Sequence, residues 1–507
     1  MFIDSSEWRA PDSENGSALC RAPTPKFEHA PLYRSLLAQA QPDTATQLRA
    51  AQFLQSELAQ VADGPSGLPK SPQDLTLWMQ ACAVSVHAQY RQYLEQRRAG
   101  VARRFFFNRA HALYFLRLVA PTKLVDGAWL HGVLADAGNP RLVHLVQTYL
   151  EELGSGEPAK NHVALYRGLL ARHGLESFDD VPDPLYRQGL IQLALGCNTQ
   201  QYLPEVIGFN LGYEQLPLHL LITAYELDEL GIDPYYFTLH VTVDNSDTGH
   251  ARRACEAVLD NLPRFDDGGT FWRRIREGSK LAGAGVGTEE VIASFTMETE
   301  VLQILSRKAL AGAGAHSDYC RIAGRTVNEW LSSSEGAAAF VEALQHAGWI
   351  KRGEDAQNSR FWNLLQGERA PMFGVFAPYE LQVLHDWIRG DASADGRPYF
   401  ELPGAQERRL SFRASARRAV SEARRVEGKL PDADCSLAGV GCMEFATDIN
   451  LSATLDVDWH LLEESLWASE SKVRQALLLQ ALSPAQHWTP AGMRATRMFC
   501  EALPFAP

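Results

Sequence analysis

The stretch from residue 235 to residue 254, YYFTLHVTVDNSDTGHARRA, places four side chains that can bind metals or protons within eleven residues. These side chains, His240, Asp244, Asp247 and His250, stand among large apolar residues. On a continuous helix of about 100° per residue, Asp244 lies about 40° and Asp247 about 20° from His240, and His250 lies about 80° away, at the margin of that face. Carboxylates and imidazoles on a buried face can bind a metal ion or transfer protons.

A second pair of candidate side chains flanks a glycine-containing break earlier in the chain. Glu152 closes a predicted helix, Gly154 and Gly156 interrupt it, and His162 falls in the first turn of the next helix. A carboxylate and an imidazole on either side of such a short joint can converge on one point.

Two glutamates, Glu205 and Glu214, lie in a largely apolar segment that is predicted to form one helix over 204–230. A turn at 231–234, with glycine near the end of one helix and proline in the first turn of the next, makes this helix an antiparallel neighbour of the one that carries His240. Glu214 is nearer the turn, so it is predicted to face His240, with Glu205 as its rival.

Asp126 completes the set, in an apolar helical pattern beside Gly127. Buried carboxylates are costly unless they are paired or bound to a cation. Helical bundles that direct Glu, Asp and His side chains inward can hold two iron or manganese ions, and oxygen and nitrogen ligands without thiolate suit these metals. The predicted metal ligands are Asp126, Glu152, His162, Glu214, His240, Asp244 and His250.

Each of these residues also has an ordinary structural explanation. A single histidine on an apolar helix is usually a hydrogen-bonded core residue, and a glutamate at a helix end is usually solvated. It is their combination, order and spacing that favour a metal site.

Helical spacing dominates the whole chain and predicts an all-α protein. Within its densest part, the predicted helices lie near 104–119, 122–136, 140–153, 159–173, 184–196, 204–230 and 234–257. The predicted organisation begins with a flexible N-terminus at 1–30 and a helical extension at 31–100. A metal-binding core follows at 101–265, then a helical continuation packed on the core at 266–390. The C-terminal region at 391–507 has no assigned role.

Composition narrows the functional classes. A net charge of −13 over 507 residues argues against nucleic-acid binding, which requires a basic surface. No apolar run is long enough to cross a bilayer, and the N-terminal residues do not resemble a secretory signal. Eight scattered cysteines without a C-x-x-C pair are typical of reduced thiols in a cytoplasmic protein.

The candidate residues resemble the haem-oxygenase-like non-haem diiron oxidases and oxygenases, over roughly residues 100 to 260. That family takes its ligands from a Glu, a His shortly after it, a Glu on a later helix and a closing H-x3-D-x2-H helix. Glu152 and His162 in EELGSGEPAKNH match the first pair, and Glu214 in FNLGYE matches the middle Glu. Asp126 stands where some members use a further carboxylate.

The closing motif departs from the family pattern. His240 and Asp244 in FTLHVTVD match its first half, but the sequence continues as H-x3-D-x5-H. Asp247 occupies the position of the last histidine, and His250 follows three residues later. Either His250 reaches the metal through a distortion that Gly249 permits, or Asp247 replaces it; we favour His250 because imidazole is the expected ligand type.

The resemblance implies a haem-oxygenase-like helical bundle with two Fe(II) ions per chain, manganese being an alternative, O2 as co-substrate and no haem. It implies oxidation of a small amino-acid-like or amine metabolite, by N-oxygenation, desaturation or oxidative C–C cleavage, in natural-product biosynthesis. The chain carries no flavin or iron–sulfur motif, so an external electron donor is expected. No nucleic-acid or membrane partner is expected, and apolar segments in the C-terminal third suggest a cover over the bundle or a homodimer contact.

Two other interpretations remain open at this point. In a metal-free enzyme of the same fold, the histidines and carboxylates would form an acid–base network. In a non-enzymatic helical scaffold, they would be buried hydrogen-bonded pairs. Metal content, and the response of activity to chelators, distinguish the three.

Overall fold

The structure is a computed structural model, and it describes residues 28–178, 180–243, 249–264, 268–312, 314, 316, 319–332, 336–366, 370–399 and 455–503. Within these residues the regular structure is almost entirely helical, which confirms the predicted all-α fold. Residues 1–27 of the predicted N-terminal segment, and most of the first half of the predicted C-terminal region, lie outside the described residues.

The α-helices span His29–Leu37, Thr44–Val61, Leu75–Arg98, Arg109–Leu118, Ala120–Lys123, Val143–Glu152, His162–Ala171, Arg187–Cys197, Thr199–Tyr213, Leu218–Glu229, Tyr235–Val243, His250–Asn261, Gly268–Leu281, Thr288–Ala293, Met297–Gly312, Val327–Leu331, Gly336–His346, Arg360–Leu365, Pro378–Arg389, Leu455–Ala468, Ser471–Ala481 and Pro490–Ala502.

Short 3-10 helices span Pro72–Asp74, Ala128–Asp136, Pro140–Leu142, Gly154–Gly156, Asp183–Tyr186, Ala356–Asn358 and Gly390–Asp395. Two two-residue strands, Arg321–Ile322 and Arg325–Thr326, pair in antiparallel fashion.

The prediction of one helix over 204–230 is wrong. The structure has two helices here, Thr199–Tyr213 and Leu218–Glu229, and Glu214 is the residue that ends the first of them. The break precedes Pro217, which disfavours helical backbone in the residue before it. Glu214 therefore lies at a helix end, where its side chain can turn toward a different neighbour.

The prediction of one helix over 234–257 is also wrong. One helix ends at Val243, and another begins at His250, with Gly249 in an extended conformation before it (φ −83°, ψ −168°). His240 and His250 consequently stand on two separate helices, so the angular margin calculated for a continuous helix does not apply. Asp244 and Asp247 lie outside the described residues.

Asp126 does not lie in a helix, as its apolar pattern predicted, but in the turn between Lys123 and Ala128. Gly127, which follows it, has φ +81°, in the left-handed region that favours glycine. A Cβ atom on Gly127 would stand 2.9 Å from Cβ of Glu152, so the missing side chain lets this turn approach the Glu152 helix closely.

The predicted glycine break is confirmed. Helix Val143–Glu152 ends on Glu152, and helix His162–Ala171 begins on His162. Between them, residues 153–161, called here the glycine joint, reverse the chain through three consecutive left-handed residues: Gly154 (φ +63°), Ser155 (φ +50°) and Gly156 (φ +83°). The joint brings the two helix ends, and their ligand-type side chains, to one place.

The core helices pack closely where they carry glycines. Helix Thr199–Tyr213 crosses helix Gly268–Leu281 so tightly that a Cβ on Gly208 would stand 1.9 Å from the Ile275 carbonyl oxygen. On the facing helix, a Cβ on Gly278 would stand 2.2 Å from the Glu205 carbonyl oxygen. These contacts allow backbone-to-backbone packing behind the ligand-bearing helices. No helix in the described part of the chain is long and apolar enough to cross a membrane.

Candidate metal centre

Four buried side chains from different parts of the core converge on one point. They are Asp126 from the turn, Glu152 and His162 from the two sides of the glycine joint, and His240 from helix Tyr235–Val243. One ligand-type atom of each lies within 4.8 Å of the same kind of atom on all the others. This group is called the first cluster.

His240 is oriented by its own helix. Its Nδ1 lies 2.8 Å from the backbone carbonyl oxygen of Tyr236, which can only accept, so Nδ1 carries the proton. Nε2 then faces Oδ2 of Asp126 at 3.0 Å. When the imidazole is neutral, both of these atoms are acceptors, and a proton or a cation has to lie between them. The Tyr236 hydroxyl donates a hydrogen bond of 2.7 Å to the same Asp126 oxygen and fixes its position.

The pair formed by Glu152 and His162 also has the arrangement of two ligands for one cation. His162 Nδ1 stands 2.5 Å from Glu152 Oε2 and 3.8 Å from Asp126 Oδ2. Both atoms of the closer pair are buried, yet neither has a hydrogen-bond partner within the described part of the chain. Buried polar atoms without a partner are rare because they carry an uncompensated desolvation cost. A metal ion bound by both atoms would remove that cost.

A second cluster shares Glu152 with the first. Its other members are Glu214, at the end of helix Thr199–Tyr213, and His250, the first residue of its helix; all three are buried. His250 Nδ1 lies 3.3 Å from Glu152 Oε1 and 3.2 Å from Glu214 Oε2. Glu152 thus turns one carboxylate oxygen toward each cluster, which is the arrangement of a carboxylate that bridges two metal ions.

The orientation of His250 is set by a residue that the sequence analysis did not select. His250 Nε2 lies 3.0 Å from Glu151 Oε2, and the other Glu151 oxygen lies 2.6 Å from an Arg253 guanidinium nitrogen. A carboxylate that accepts from the far nitrogen of a metal-binding histidine fixes its tautomer and leaves the near nitrogen for the metal. The signal was present in the sequence, because Glu151 precedes Glu152 and so projects about 100° around the same helix.

The clusters hold their carboxylates ionised against the effect of burial. Burial raises the pKa of Glu152, but His162 and His250 outweigh it and hold that pKa well below its usual value. Burial likewise opposes ionisation of Asp126, and Lys123 and His240 lower its pKa. Anionic oxygens facing imidazole nitrogens in a buried space form a donor set for a hard or intermediate divalent cation.

Lys123 is a cation at the edge of the first cluster. Burial works to lower its pKa, yet Tyr213, Asp126 and Glu152 raise it above the usual value, so the ammonium stays charged. Its Nζ lies 5.7 Å from the ring centre of Tyr213 and 5.8 Å from that of Tyr236. Within the described residues it forms no ion pair with a carboxylate.

The rival glutamate is occupied elsewhere. Glu205 forms a two-pronged ion pair with Arg274 of helix Gly268–Leu281, with both nitrogen–oxygen distances at 2.6 Å. The structure therefore brings Glu214, and not Glu205, into the second cluster. Glu214 faces His250 rather than His240, contrary to the prediction, because the break before Pro217 redirects the helix end.

Six of the seven predicted ligands lie within the described residues, and all six belong to the two clusters: Asp126, Glu152, His162, Glu214, His240 and His250. Asp244, the remaining one, is among the residues that the structure does not describe, as is Asp247. The Tyr236 hydroxyl donates to Asp126, whereas the Tyr235 hydroxyl donates to the Ala159 carbonyl in the glycine joint.

A comparison with known protein families supports the metal-site interpretation of these residues. Residues 113–283, about a third of the chain, match the family model described as an iron-containing redox enzyme, and this segment includes both clusters. The resemblance to haem-oxygenase-like iron redox enzymes is thereby confirmed, and it supports an oxidoreductase. The chain matches no curated protein and no solved structure.

Proposed function

We propose that the two clusters bind two iron ions and that the protein is an O2-dependent non-haem diiron oxidase or oxygenase. One observation carries this proposal: the buried carboxylate of Glu152 presents one oxygen to each of two groups of histidine and carboxylate ligands. Asp126, His162 and His240 would hold one ion, and Glu214 and His250 the other. Oxygen and nitrogen donors without thiolate suit iron, with manganese as the alternative metal.

Bound iron would supply the activation of O2, and the protein residues would control its surroundings. Tyr236 holds Asp126, and Glu151 holds His250, so that each ligand keeps its orientation while the reaction proceeds. We propose that Asp244 is a further metal ligand, as the family motif implies, and that haem is not bound, because a cluster of carboxylates suits a hard metal ion and not an apolar macrocycle. A Soret band in freshly purified protein would contradict the latter.

We propose a small amino-acid-like substrate, and Lys123 supports an anionic group on it. Two Fe(II) ions bring four positive charges, whereas Asp126, Glu152 and Glu214 bring three negative ones. Metal loading therefore offsets the negative charge beside Lys123, which Asp244 would at most bring to balance with the ions, so this buried ammonium would keep its charge only beside a new anionic partner. A charged ammonium beside a neutral or positive centre favours a carboxylate partner from the substrate. N-oxygenation, desaturation and oxidative C–C cleavage all remain candidate reactions, with an external donor supplying the additional electrons.

The test is metal stoichiometry after anaerobic Fe(II) loading and desalting, with wild type beside His240→Ala. We expect about two irons per wild-type chain and at most one in the variant, by analogy with the effect of removing a first metal ligand. A metal-free acid–base enzyme would instead keep its activity in the presence of chelators. A scaffold would lose thermal stability in the variant without any change in metal content.

No retained iron or manganese in the wild-type protein, under conditions where circular dichroism shows it folded, would contradict the proposal. About one iron in the wild type would restrict it to the first cluster.

A further inference from the structure

The C-terminal residues 478–503, called here the C-terminal cap, contact the metal centre at the glycine joint. They include the end of helix Ser471–Ala481 and helix Pro490–Ala502. The family match ends at residue 283, so the cap lies outside the matched segment. Its contacts concentrate on the short stretch of chain that connects two of the ligands, Glu152 and His162.

The central contact joins His487 to Asn161, the residue that precedes His162. The Asn161 side-chain nitrogen lies 3.2 Å from His487 Nδ1 and 3.3 Å from the His487 carbonyl oxygen, and it also donates to the Leu153 carbonyl. The Asn161 side-chain oxygen accepts from the Ala164 backbone N–H at 2.9 Å and so caps the His162 helix. One amide therefore ties both ends of the joint to the cap. Asn161 and His487 are almost completely buried, at 0% and 1% exposure.

Helix Pro490–Ala502 packs closely against the middle of the glycine joint. A Cβ on Gly156 would stand 2.4 Å from the Met493 carbonyl oxygen, so only glycine fits against this helix. Arg497 donates a 3.1 Å hydrogen bond to the Gly156 carbonyl oxygen. This contact gives a hydrogen-bond partner to the backbone carbonyl at the end of the short 3-10 helix Gly154–Gly156.

The cap also contacts helix Val143–Glu152 and helix His162–Ala171, which carry two of the ligands. The buried hydroxyl of Tyr149, three residues before Glu152, donates a 2.6 Å hydrogen bond to the Leu482 carbonyl oxygen. On the other side, the guanidinium of Arg167 stacks over the Trp488 ring at 3.7 Å. The cap thus contacts the Glu152 helix, the joint and the His162 helix together.

The joint needs such support because its backbone is strained. Ser155 is held at φ +50°, and a non-glycine residue keeps this costly conformation only where its surroundings enforce it. Small displacements of the joint would separate Glu152 from His162, whose ligand atoms lie 2.5 Å apart.

We propose that the C-terminal cap is a structural part of the metal centre, and that His487 is a positioning residue that holds Asn161 and thereby sets the separation of Glu152 and His162. This inference rests on the proposed metal site. It makes docking of the cap and binding of metal mutually dependent. By thermodynamic reciprocity, a cap that strengthens metal binding is itself held more tightly when the metal is bound.

The experiment compares three full-length variants with the wild type: His487→Leu, His487→Asn and His173→Leu. His487→Leu removes the side-chain acceptor Nδ1 and keeps the backbone carbonyl, whereas His487→Asn can keep an oxygen near the position of Nδ1. His173→Leu is the matched control, because His173 is another buried histidine (6% exposed) and follows the far end of helix His162–Ala171, which is about 15 Å long. The measurements are Fe(II) affinity by anaerobic competition with a chromogenic chelator, thermal unfolding of the metal-free protein, and hydrogen exchange of residues 478–503.

We expect His487→Leu to weaken Fe(II) binding about tenfold, as loss of residues that orient metal ligands usually does. His487→Asn should restore most of the affinity, and His173→Leu should leave it unchanged even if it lowers the unfolding temperature equally. Fe(II) should slow hydrogen exchange in residues 478–503 of the wild type, and less in His487→Leu.

Equal Fe(II) affinity in His487→Leu and the wild type would overturn the inference while leaving the proposed function intact, as would hydrogen exchange in the wild-type cap that ignores Fe(II). A wild-type protein that binds no Fe(II) would overturn both. If His487→Leu does not fold, the wild-type exchange experiment and the His487→Asn affinity decide the question.

Discussion

The two clusters share Glu152 but differ in the contacts that hold their other residues in place. In the first cluster, His240 is held by a backbone carbonyl and Asp126 by the buried Tyr236 hydroxyl. In the second, His250 is held by Glu151, whose side chain is 28% exposed and is itself paired with Arg253. The first half is supported from inside the core and the second from the surface.

This difference indicates unequal metal binding. An orienting contact that is buried is not screened by solvent, whereas a half-exposed ion pair contributes less and responds to salt. We therefore expect the ion of the first cluster to be held firmly and that of the second to exchange more readily.

The largest effect is expected from the shared ligand. Glu152→Gln removes the only carboxylate that belongs to both clusters, so we expect retained iron to fall from about two ions per chain to about none. Glu205→Gln is the matched control, because it neutralises a buried glutamate of the same region that is paired with Arg274. The control should keep its iron and lose thermal stability. Loss of iron in both variants would show that neutralising any buried glutamate in this core disrupts the site.

Single-histidine variants separate the halves. We expect His250→Ala to retain about one iron per chain, in the first cluster, because all four ligands of that cluster remain in place. His240→Ala should retain less, since it weakens the better-supported half. Metal analysis after identical desalting measures both. The reverse order of retention would contradict the proposed asymmetry.

Two milder changes address the supporting contacts. Tyr236→Phe removes the hydroxyl that holds Asp126, and Glu151→Gln removes the charge that orients His250; loss of such contacts weakens metal binding about 10- to 100-fold. Stopped-flow transfer of iron to a chelator should show two phases in the wild type. Glu151→Gln should accelerate only the fast phase, and Tyr236→Phe mainly the slow one. Identical effects on both phases would mean that the halves are not independent.

Lys123→Met is expected to have the smallest effect on iron retention, but a clear effect on substrate binding. Loss of a hydrogen bond to a charged group costs about 1.5–3 kcal/mol, so KM for a carboxylate substrate should rise by roughly 10- to 100-fold with less change in kcat. O2 consumption measures both parameters. The methyl ester of the same substrate should be turned over equally by both proteins; an equal loss with the ester would assign Lys123 to the metal centre instead.

Much of the candidate site is local and could be predicted from sequence. Helical periodicity indicates the all-α fold, and the glycine break predicts that Glu152 ends one helix and His162 begins the next. The relation of Glu151 to Glu152 follows from helix geometry in the same way. Such features depend on residues within about two turns of one another, where backbone geometry alone fixes direction.

The predictions that failed concern chain breaks and choices between distant partners. Apolar spacing alone would have continued both helical patterns, but one is interrupted before Pro217 and the other before His250, where Gly249 is extended. The choice between Glu205 and Glu214 was settled by Arg274, about 70 residues downstream of Glu205, which pairs with one carboxylate and leaves the other to face His250. No periodicity carries that information.

The sequence by itself determined the ligand types and the local hinges that present them, because both depend on neighbouring residues. Only the tertiary structure decided which oxygen of Glu152 faces which histidine, and that His487, 326 residues beyond Asn161, closes the joint between two ligands. Contacts over such separations arise from the packing of whole helices, in which the burial of large apolar surfaces outweighs the preference of any single residue.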